Sequence, residues 1–128
     1  MKKVLVFGTF DGIHKGHLDL FSQAKKYGDY LSVVVARDKN VLKIKNRLPQ
    51  RDEKIRLKEV EAIDSVDEAR LGYLDNPHKI IKETKPDVIC LGYDQSSYVE
   101  GLDKLGIKIV RLKPYKPEQF KSSIINKK

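Results

Sequence analysis

Two histidines, His14 and His17, stand three residues apart in the segment GTFDGIHKGH, which spans residues 8–17. At a helix start, side chains with this spacing lie on one side, so both rings can face the same ligand. Imidazoles in this arrangement suit three kinds of chemistry. The pair could bind zinc, one ring could cap backbone groups, or both rings could donate hydrogen bonds to phosphate oxygens that gain charge during a reaction.

The segment around the histidines has the properties of a phosphate site. Gly8 allows the backbone to approach a ligand closely, and the following helix begins with free N–H groups and the positive end of its dipole. The segment is neither a dinucleotide-binding GxGxxG motif nor a Walker A loop, because the Gly-Lys-Ser/Thr ending is missing. For the zinc alternative, no third cysteine, histidine or group of carboxylates lies nearby in the sequence.

The elements that must position these residues follow from the hydrophobic pattern. Apolar runs predict strands, and apolar residues at helical spacing, such as Leu18, Phe21 and Ala24, predict helices. The predicted strands span residues 4–7, 31–36, 66–71, 88–91 and 107–112. The predicted helices span residues 18–26, 52–63, 77–84 and 99–105, with one or two further helical turns at 122–127. We expect the polar, basic segment 38–49 to be irregular.

The order β-α-β-α-β-α-β-α-β predicts an α/β fold, a single-domain Rossmann-like doubly wound parallel five-stranded sheet with helices on both faces. The nearly continuous apolar character of the first, second and fourth strands agrees, because strands of such sheets are covered on both sides. Ligands of such folds bind beyond the carboxyl ends of the strands. We therefore expect the site to include the segments that follow Phe7, Ala36, Leu91 and Leu112.

The composition limits the classes of protein and partner. A chain of 128 residues fits one domain, and its net charge of +8 suits anionic partners such as nucleic acid, acidic membrane surfaces or phosphorylated small molecules. No apolar stretch approaches the ~20 residues of a membrane span. The run before Gly8 is too short for a signal peptide, so we expect a cytoplasmic protein. The single cysteine, Cys90, lies in an apolar run, which predicts a buried structural thiol.

The ten-residue block resembles the signature of the nucleotidylyltransferase superfamily, whose HxGH motif marks the nucleotide phosphate site. Small cytidylyltransferases, typified by glycerol-3-phosphate cytidylyltransferase, and archaeal-type FAD synthetases (FMN adenylyltransferases) both carry this block. The segments ARD (36–38), KIK (43–45) and KPD through LGYDQ (85–95) are more similar to the FAD synthetase branch. The resemblance covers nearly the whole chain and implies one nucleotidylyltransferase domain over residues 1–128.

The resemblance implies transfer of a nucleoside monophosphate from a nucleoside triphosphate to a phosphate-bearing acceptor, with release of pyrophosphate. The reaction that we favour converts ATP and FMN to FAD. The alternative is a CTP-dependent transfer to glycerol 3-phosphate or a related polyol phosphate, which the first thirty residues support. Against it, segment 111–116 lacks the Arg-Thr-Glu-Gly run of that branch. A non-enzyme alternative, a basic nucleic-acid-binding module, predicts a continuous basic face with exposed aromatics.

The resemblance also assigns roles to residues. The implied catalytic residues are His14, His17 and Lys45. The implied nucleotide- or phosphate-binding residues are Gly8, Thr9, Phe10, Lys43, Arg56, Gly92, Asp94, Ser122 and Ser123. Asp11 would orient the acceptor or help to hold a metal ion. Lys43 and Lys45 would lie on a mobile basic loop that folds over the leaving pyrophosphate.

Each of these assignments has an ordinary alternative. Lysines of a basic loop are usually solvated, Arg56 could be a surface helix arginine, and Asp94 could cap a helix. The implied companions are Mg²⁺ or another divalent cation with ATP or CTP, and a phosphorylated small-molecule acceptor. We expect no nucleic-acid partner and no membrane, and a homodimer is possible.

Overall fold

The computed structural model describes residues 1–74, 77–93, 95 and 105–115. Within this part of the chain, five strands form one sheet in the order β3-β2-β1-β4-β5, and every neighbouring pair is parallel. The strands are β1 (Lys3–Gly8), β2 (Tyr30–Val35), β3 (Glu68–Leu71), β4 (Val88–Leu91) and β5 (Lys108–Arg111). This arrangement confirms the predicted fold class, although β3 and β5 are shorter than the apolar pattern indicated.

The described helices are α1 (Lys15–Lys25), α2 (Asp38–Lys45), α3 (Glu53–Glu61) and α4 (Pro77–Thr84). Asp52 caps α3 as its residue type suggests, because its carboxylate accepts a hydrogen bond from Ile55 N at 2.9 Å. The predicted helix at 99–105, apart from Leu105, and the predicted turns at 122–127 lie outside the described residues. In the described part of the chain, no helix combines the length and the apolar character that crossing a membrane requires.

Two cores cover the two faces of the sheet. Val4 and Val6 of β1 belong to the core that includes α1 and α3, whereas Leu5 and Phe7 belong to the core that includes α4. The helical residues in these cores are Phe21, Ala24 and Val60 on the first face, and Ile80 and Ile81 on the second. Burial on both faces explains the continuous apolar runs of the central strands.

Cys90 lies in the first of these cores and is fully buried. Burial raises the pKa of its thiol to about 11, so the thiol is protonated and unreactive at neutral pH. The prediction of a buried thiol is therefore confirmed.

Residues 38–45 form α2, so the prediction of an irregular segment that carries Lys43 and Lys45 is wrong. Val41, a residue of α2, is buried. The helix ends at Asn46, whose left-handed φ of 61° lets its N–H donate to Leu42 O at 2.8 Å. Asp38 in the first turn and Lys43 and Lys45 in the last turn complement the helix dipole. This charge pattern is the sequence feature from which the helix could have been predicted.

Helix α1 offers a direct test of the packing, because two of its apolar residues have opposite burial. Phe21 is fully buried, whereas Leu18 is 46% exposed. We expect Phe21→Ala to lower the free energy of unfolding by about 3–5 kcal/mol. Leu18→Ala should lower it by less than about 1 kcal/mol. Urea unfolding followed by circular dichroism measures both values, and equal losses would contradict this packing.

Candidate active site

The site lies at the carboxyl ends of β1 and β4, where the strand order reverses. Gly8 ends β1 and Gly92 directly follows β4. Two cavities of about 500 and 650 Å³ open here, and His14, His17 and Leu20 line both. Ligands of open parallel sheets bind at such a reversal point, so the topology itself brings the predicted histidines to a ligand-binding position.

The two cavities differ in the other residues that line them. Lobe A is the smaller, and the turn after β1, helix α2 and residues 47–50 line it. Lobe B is the larger, and Gly16, Asp19, Tyr93 and residues 113–115 also line it. Gly92 borders both lobes, and Arg111 Nη1 holds this end of β4 by donating to Gly92 O at 2.9 Å.

The turn between β1 and α1 packs against the ring of His17. Phe10 has a left-handed φ of 55°, and its buried ring lies against Gly8. A Cβ at residue 8 would lie 2.4 Å from Phe10 Cζ, so only glycine fits there. The Phe10 ring also makes an edge contact with His17, with ring centroids 5.3 Å apart. Gly8 and Phe10 therefore line lobe A and also set the position of His17.

The two histidines cap α1 reciprocally. Gly16 N donates to His14 Nδ1 at 3.0 Å, and His14 N donates to His17 Nδ1 at 3.3 Å. Their rings stack with centroids 3.9 Å apart. A Cβ at Gly16 would lie 2.8 Å from His14 Cε1, which explains the glycine between the histidines.

These caps also determine which ring nitrogen carries the proton. A neutral imidazole whose Nδ1 accepts a hydrogen bond holds its hydrogen on Nε2. Both capping hydrogen bonds engage Nδ1, and the ring of His17 also has a hydrogen bond with the backbone of Gly12, which raises its pKa. The capping and phosphate-donor alternatives are therefore compatible, because each uses a different nitrogen of the same ring.

His17 is held in its neutral form. Burial is the main cause that lowers its pKa to about 4, and positive charge nearby, that of Lys45 included, lowers it further, whereas a hydrogen bond with the Gly12 backbone raises it. The ring is consequently a neutral Nε2–H donor at pH 7 rather than a cation. Lys45 and His17 also line the same cavity, lobe A.

The structure brings Lys45 to the cleft but not Lys43. Lys45 lines lobe A, whereas Lys43 is an exposed residue outside both linings. Residues two apart on an α-helix point about 200° away from each other, so both lysines cannot face one cavity from α2. The start of α2 is held by Glu53 of α3, which accepts from Asp38 N at 2.9 Å and from Arg37 Nη1 at 3.1 Å.

Arg56 is fully buried, so its interpretation as a surface helix arginine is wrong. Its guanidinium donates to Arg51 O at 2.9 Å, to Thr9 O at 2.8 Å and to Asp38 Oδ1 at 2.7 Å. It lies behind the site and outside both linings, whereas Thr9 itself lines lobe A. A direct contact between Arg56 and phosphate stays a prediction, and the observed contacts give the residue a supporting role.

The carboxylate of Asp11 accepts two backbone hydrogen bonds. Gln50 N donates to Oδ2 at 2.8 Å, and Arg51 N donates to Oδ1 at 2.9 Å. The hydrogen bond from Gln50 is the largest cause that holds the pKa of Asp11 below its ordinary value. Asp11 also lines lobe A, so it connects the histidine turn to the segment before α3.

The sequence interpretation missed several lining residues. Lobe A adds Arg47, Leu48, Pro49 and Gln50, and lobe B adds Lys113, Pro114 and Tyr115. Residues 113–115 lie in the segment after Leu112 that the sequence analysis expected at the site, although it named none of them individually. The predicted site residues Asp94, Ser122 and Ser123 lie outside the described residues.

The zinc alternative finds no support in the described part of the chain. No group of three or more histidine, cysteine, aspartate or glutamate side chains that could hold a metal ion is present among these residues. Both histidine Nδ1 atoms already accept backbone hydrogen bonds.

Comparisons with known proteins agree with this geometry. The cytidylyltransferase-like family model matches residues 5–127. The FAD synthase of Ferroglobus placidus is 50% identical over 119 residues, which are 88% of this chain and 77% of that protein. The FAD synthase of Thermoplasma acidophilum is 41% identical and covers 100% of this chain and 94% of its own length.

A solved structure supports the same fold. The crystal structure of the lipopolysaccharide core biosynthesis protein from Thermoplasma volcanium superimposes with a TM-score of 0.81 at 41% identity. The superposition covers 90% of this chain and 98% of the chain of that protein. The chain therefore belongs to the cytidylyltransferase-like family. It is a nucleotidyltransferase of the kind found in archaeal FAD synthases, as the sequence motifs predicted.

The protonation state of His17 can be tested by NMR. We expect long-range ¹H–¹⁵N spectra to show a neutral Nε2–H ring at pH 7, and to show protonation with a midpoint of about pH 4. An imidazolium signal at pH 6, or a proton on Nδ1, would contradict the capping geometry.

The same shift predicts how stability depends on pH. The folded pKa of His17 is below the ordinary value of 6.5, so the unfolded chain takes up the proton first as the pH falls. The stability that the neutral ring contributes is complete above pH 6.5 and is lost towards pH 4. His17→Asn should show a smaller loss of unfolding free energy over this range.

Proposed function

We propose that this protein transfers the adenylyl group of ATP to FMN, which forms FAD and releases pyrophosphate. The observation that carries the proposal is the pair of stacked imidazoles at the junction of the two lobes, with both Nδ1 atoms engaged by the helix start. The FAD synthase relatives, which are 40–50% identical to the chain, support the choice of substrates.

The chemistry fits neutral donors. A phosphate oxygen of FMN attacks the α-phosphorus of ATP, and the bond from that phosphorus to the bridging oxygen breaks as pyrophosphate leaves with the electron pair. A phosphate monoester has a second pKa of about 6, so the nucleophile is already ionised at pH 7 and needs no general base. The Nε2–H groups of His14 and His17 then stabilise the charge that develops on the transferring phosphoryl group.

Lobe A suits an acceptor that combines an anion, a polyol and a flat ring. Arg47 supplies a cationic group, Gln50 supplies polar groups, and Leu48 and Pro49 supply apolar surface. FMN carries these three parts in one molecule. We therefore assign the acceptor to lobe A, with its phosphate directed towards the histidine pair.

Lobe B suits the adenosine part of ATP. Tyr93, Tyr115, Leu20 and Pro114 give it a lining that is largely apolar and aromatic. Aromatic side chains stack favourably on flat heterocycles. The volume of about 650 Å³ lies within the usual range for small-molecule pockets.

A divalent cation belongs to the proposal as a companion of the triphosphate. Mg²⁺ is usually held by one or two carboxylates together with substrate phosphates and waters, and the described residues form no metal cage of their own. The ion would neutralise charge on the leaving pyrophosphate.

A pyrophosphate-release assay tests the function. ATP and CTP are each combined with FMN, glycerol 3-phosphate and a sugar phosphate, with Mg²⁺ present. We expect release with ATP and FMN and formation of FAD. Release with CTP and glycerol 3-phosphate alone would support the polyol phosphate alternative. Salt-sensitive oligonucleotide binding without any release would support the nucleic-acid-binding alternative.

A substitution at His14 separates its two hydrogen-bonding roles. In His14→Asn the amide oxygen can accept from Gly16 N as Nδ1 does, and asparagine is a good helix cap, but the Nε2–H donor is lost. We expect kcat to fall by about 10²–10³, with an unfolding free energy close to that of the wild type. His14→Ala should lose both. Near wild-type turnover of His14→Asn would assign the ring to capping alone.

Lys45 is expected to bind the triphosphate. Lys45→Ala should raise the KM for ATP about tenfold or more, because a charge-assisted hydrogen bond to phosphate is lost. Lys39, an exposed lysine of the same helix outside both linings, provides the matched control. Equal effects of Lys45→Ala and Lys39→Ala would show that only the general charge of α2 matters.

A further inference from the structure

Residues 47–50 form one wall of lobe A, and this segment is called the acceptor wall from here on. The wall lies between α2 and α3 and is neither helix nor strand. Leu48 is 60% exposed, so packing in the hydrophobic core does not fix the position of its side chain. The position of the wall must therefore depend on contacts that other parts of the chain make with its ends.

Asp11 makes such contacts at the α3 end of the wall. Its two carboxylate oxygens accept from Gln50 N and from Arg51 N, at 2.8 and 2.9 Å. Hydrogen bonds to an ionised acceptor are stronger than neutral ones. The pKa of Asp11 is held below its ordinary value, so the carboxylate stays ionised at neutral pH.

Arg56 contacts the chain at the same end of the acceptor wall, from the protein interior. Its Nε donates to Arg51 O, and its Nη1 donates to Thr9 O. Arg51 is thus held through its N–H by Asp11 and through its carbonyl by Arg56. Both anchors connect the wall to residues 9–11, the turn that leads into the histidine pair, so they set the distance between the wall and the imidazoles.

We propose that Asp11 is a positioning residue that holds the acceptor wall in the orientation that binds the flavin ring system of FMN. The inference rests on the proposed function, because it assigns FMN to lobe A. It differs from the roles that the sequence suggested for Asp11, because the carboxylate acts through the backbone of residues 50 and 51. Asp11 then affects acceptor affinity without touching the reacting atoms.

Asp11→Asn tests the proposal with little change in shape. The amide oxygen can accept only one of the two backbone hydrogen bonds, and the NH₂ group faces the other N–H as a second donor. Asp52→Asn is the matched control, because it removes the same charge from a nearby carboxylate that does not line lobe A. Asparagine preserves that helix cap.

The first measurement is structural and needs no ligand. We expect hydrogen exchange of the Gln50 and Arg51 amides to become faster in Asp11→Asn and to stay unchanged in Asp52→Asn. Unchanged exchange in Asp11→Asn would overturn the proposal.

The second measurement is binding of each substrate alone. Quenching of flavin fluorescence gives the affinity for FMN, and calorimetry gives the affinity for α,β-methylene-ATP, which cannot transfer its adenylyl group. We expect Asp11→Asn to weaken FMN binding about tenfold or more, while the affinity for the ATP analogue stays within about twofold. Weaker binding of the ATP analogue alone, or activity restored by higher Mg²⁺ concentrations, would overturn the positioning role.

A double-mutant cycle separates positioning from direct contact. If Asp11 acts through the wall, Leu48→Ala should weaken FMN binding less in the Asp11→Asn background than in the wild type. Additive effects would indicate that Asp11 contacts the acceptor itself. Absence of FMN binding by the wild type would refute the proposed function. Equal FMN binding by wild type and Asp11→Asn would refute only the inference.

Discussion

The hydrogen bonds between the two imidazoles and the first turn of α1 are the constraint on which the site depends. They place the Nδ1 edge of each ring against the backbone of His14 and Gly16, which leaves Nε2 as the proton-bearing nitrogen. A side chain at residue 16 would collide with His14. The glycine is therefore as necessary to the geometry as the histidines, because without it the ring could not reach its cap.

The chemistry of phosphate transfer explains why such a site favours neutral rings. The attacking oxygen is already ionised, so catalysis depends on donors and cations held around the phosphorus rather than on proton removal. Partial burial and nearby positive charge keep His17 neutral, and Lys45 supplies a permanent charge close by.

Contacts between distant segments hold this arrangement together. Arg56 joins Thr9, Asp38 and Arg51, and Asp11 joins the histidine turn to residues 50 and 51. A buried cation that loses its ion-pair partner is costly, because its charge is left both desolvated and unpaired. The network consequently ties the end of β1, the start of α2 and the start of α3 into one unit beside lobe A.

The parallel sheet, the family and the histidine turn could be predicted from the sequence, because apolar runs, capping residues and a contiguous motif are local patterns. The sequence did not reveal α2, because this short segment is polar and basic overall, nor that Lys45 lines the cleft while Lys43 does not. The burial of Arg56 and the hydrogen bonds from Gln50 and Arg51 to Asp11 became known from the three-dimensional structure alone. Those contacts join residues about 40 positions apart, and no local pattern encodes which distant backbone groups will meet a given side chain.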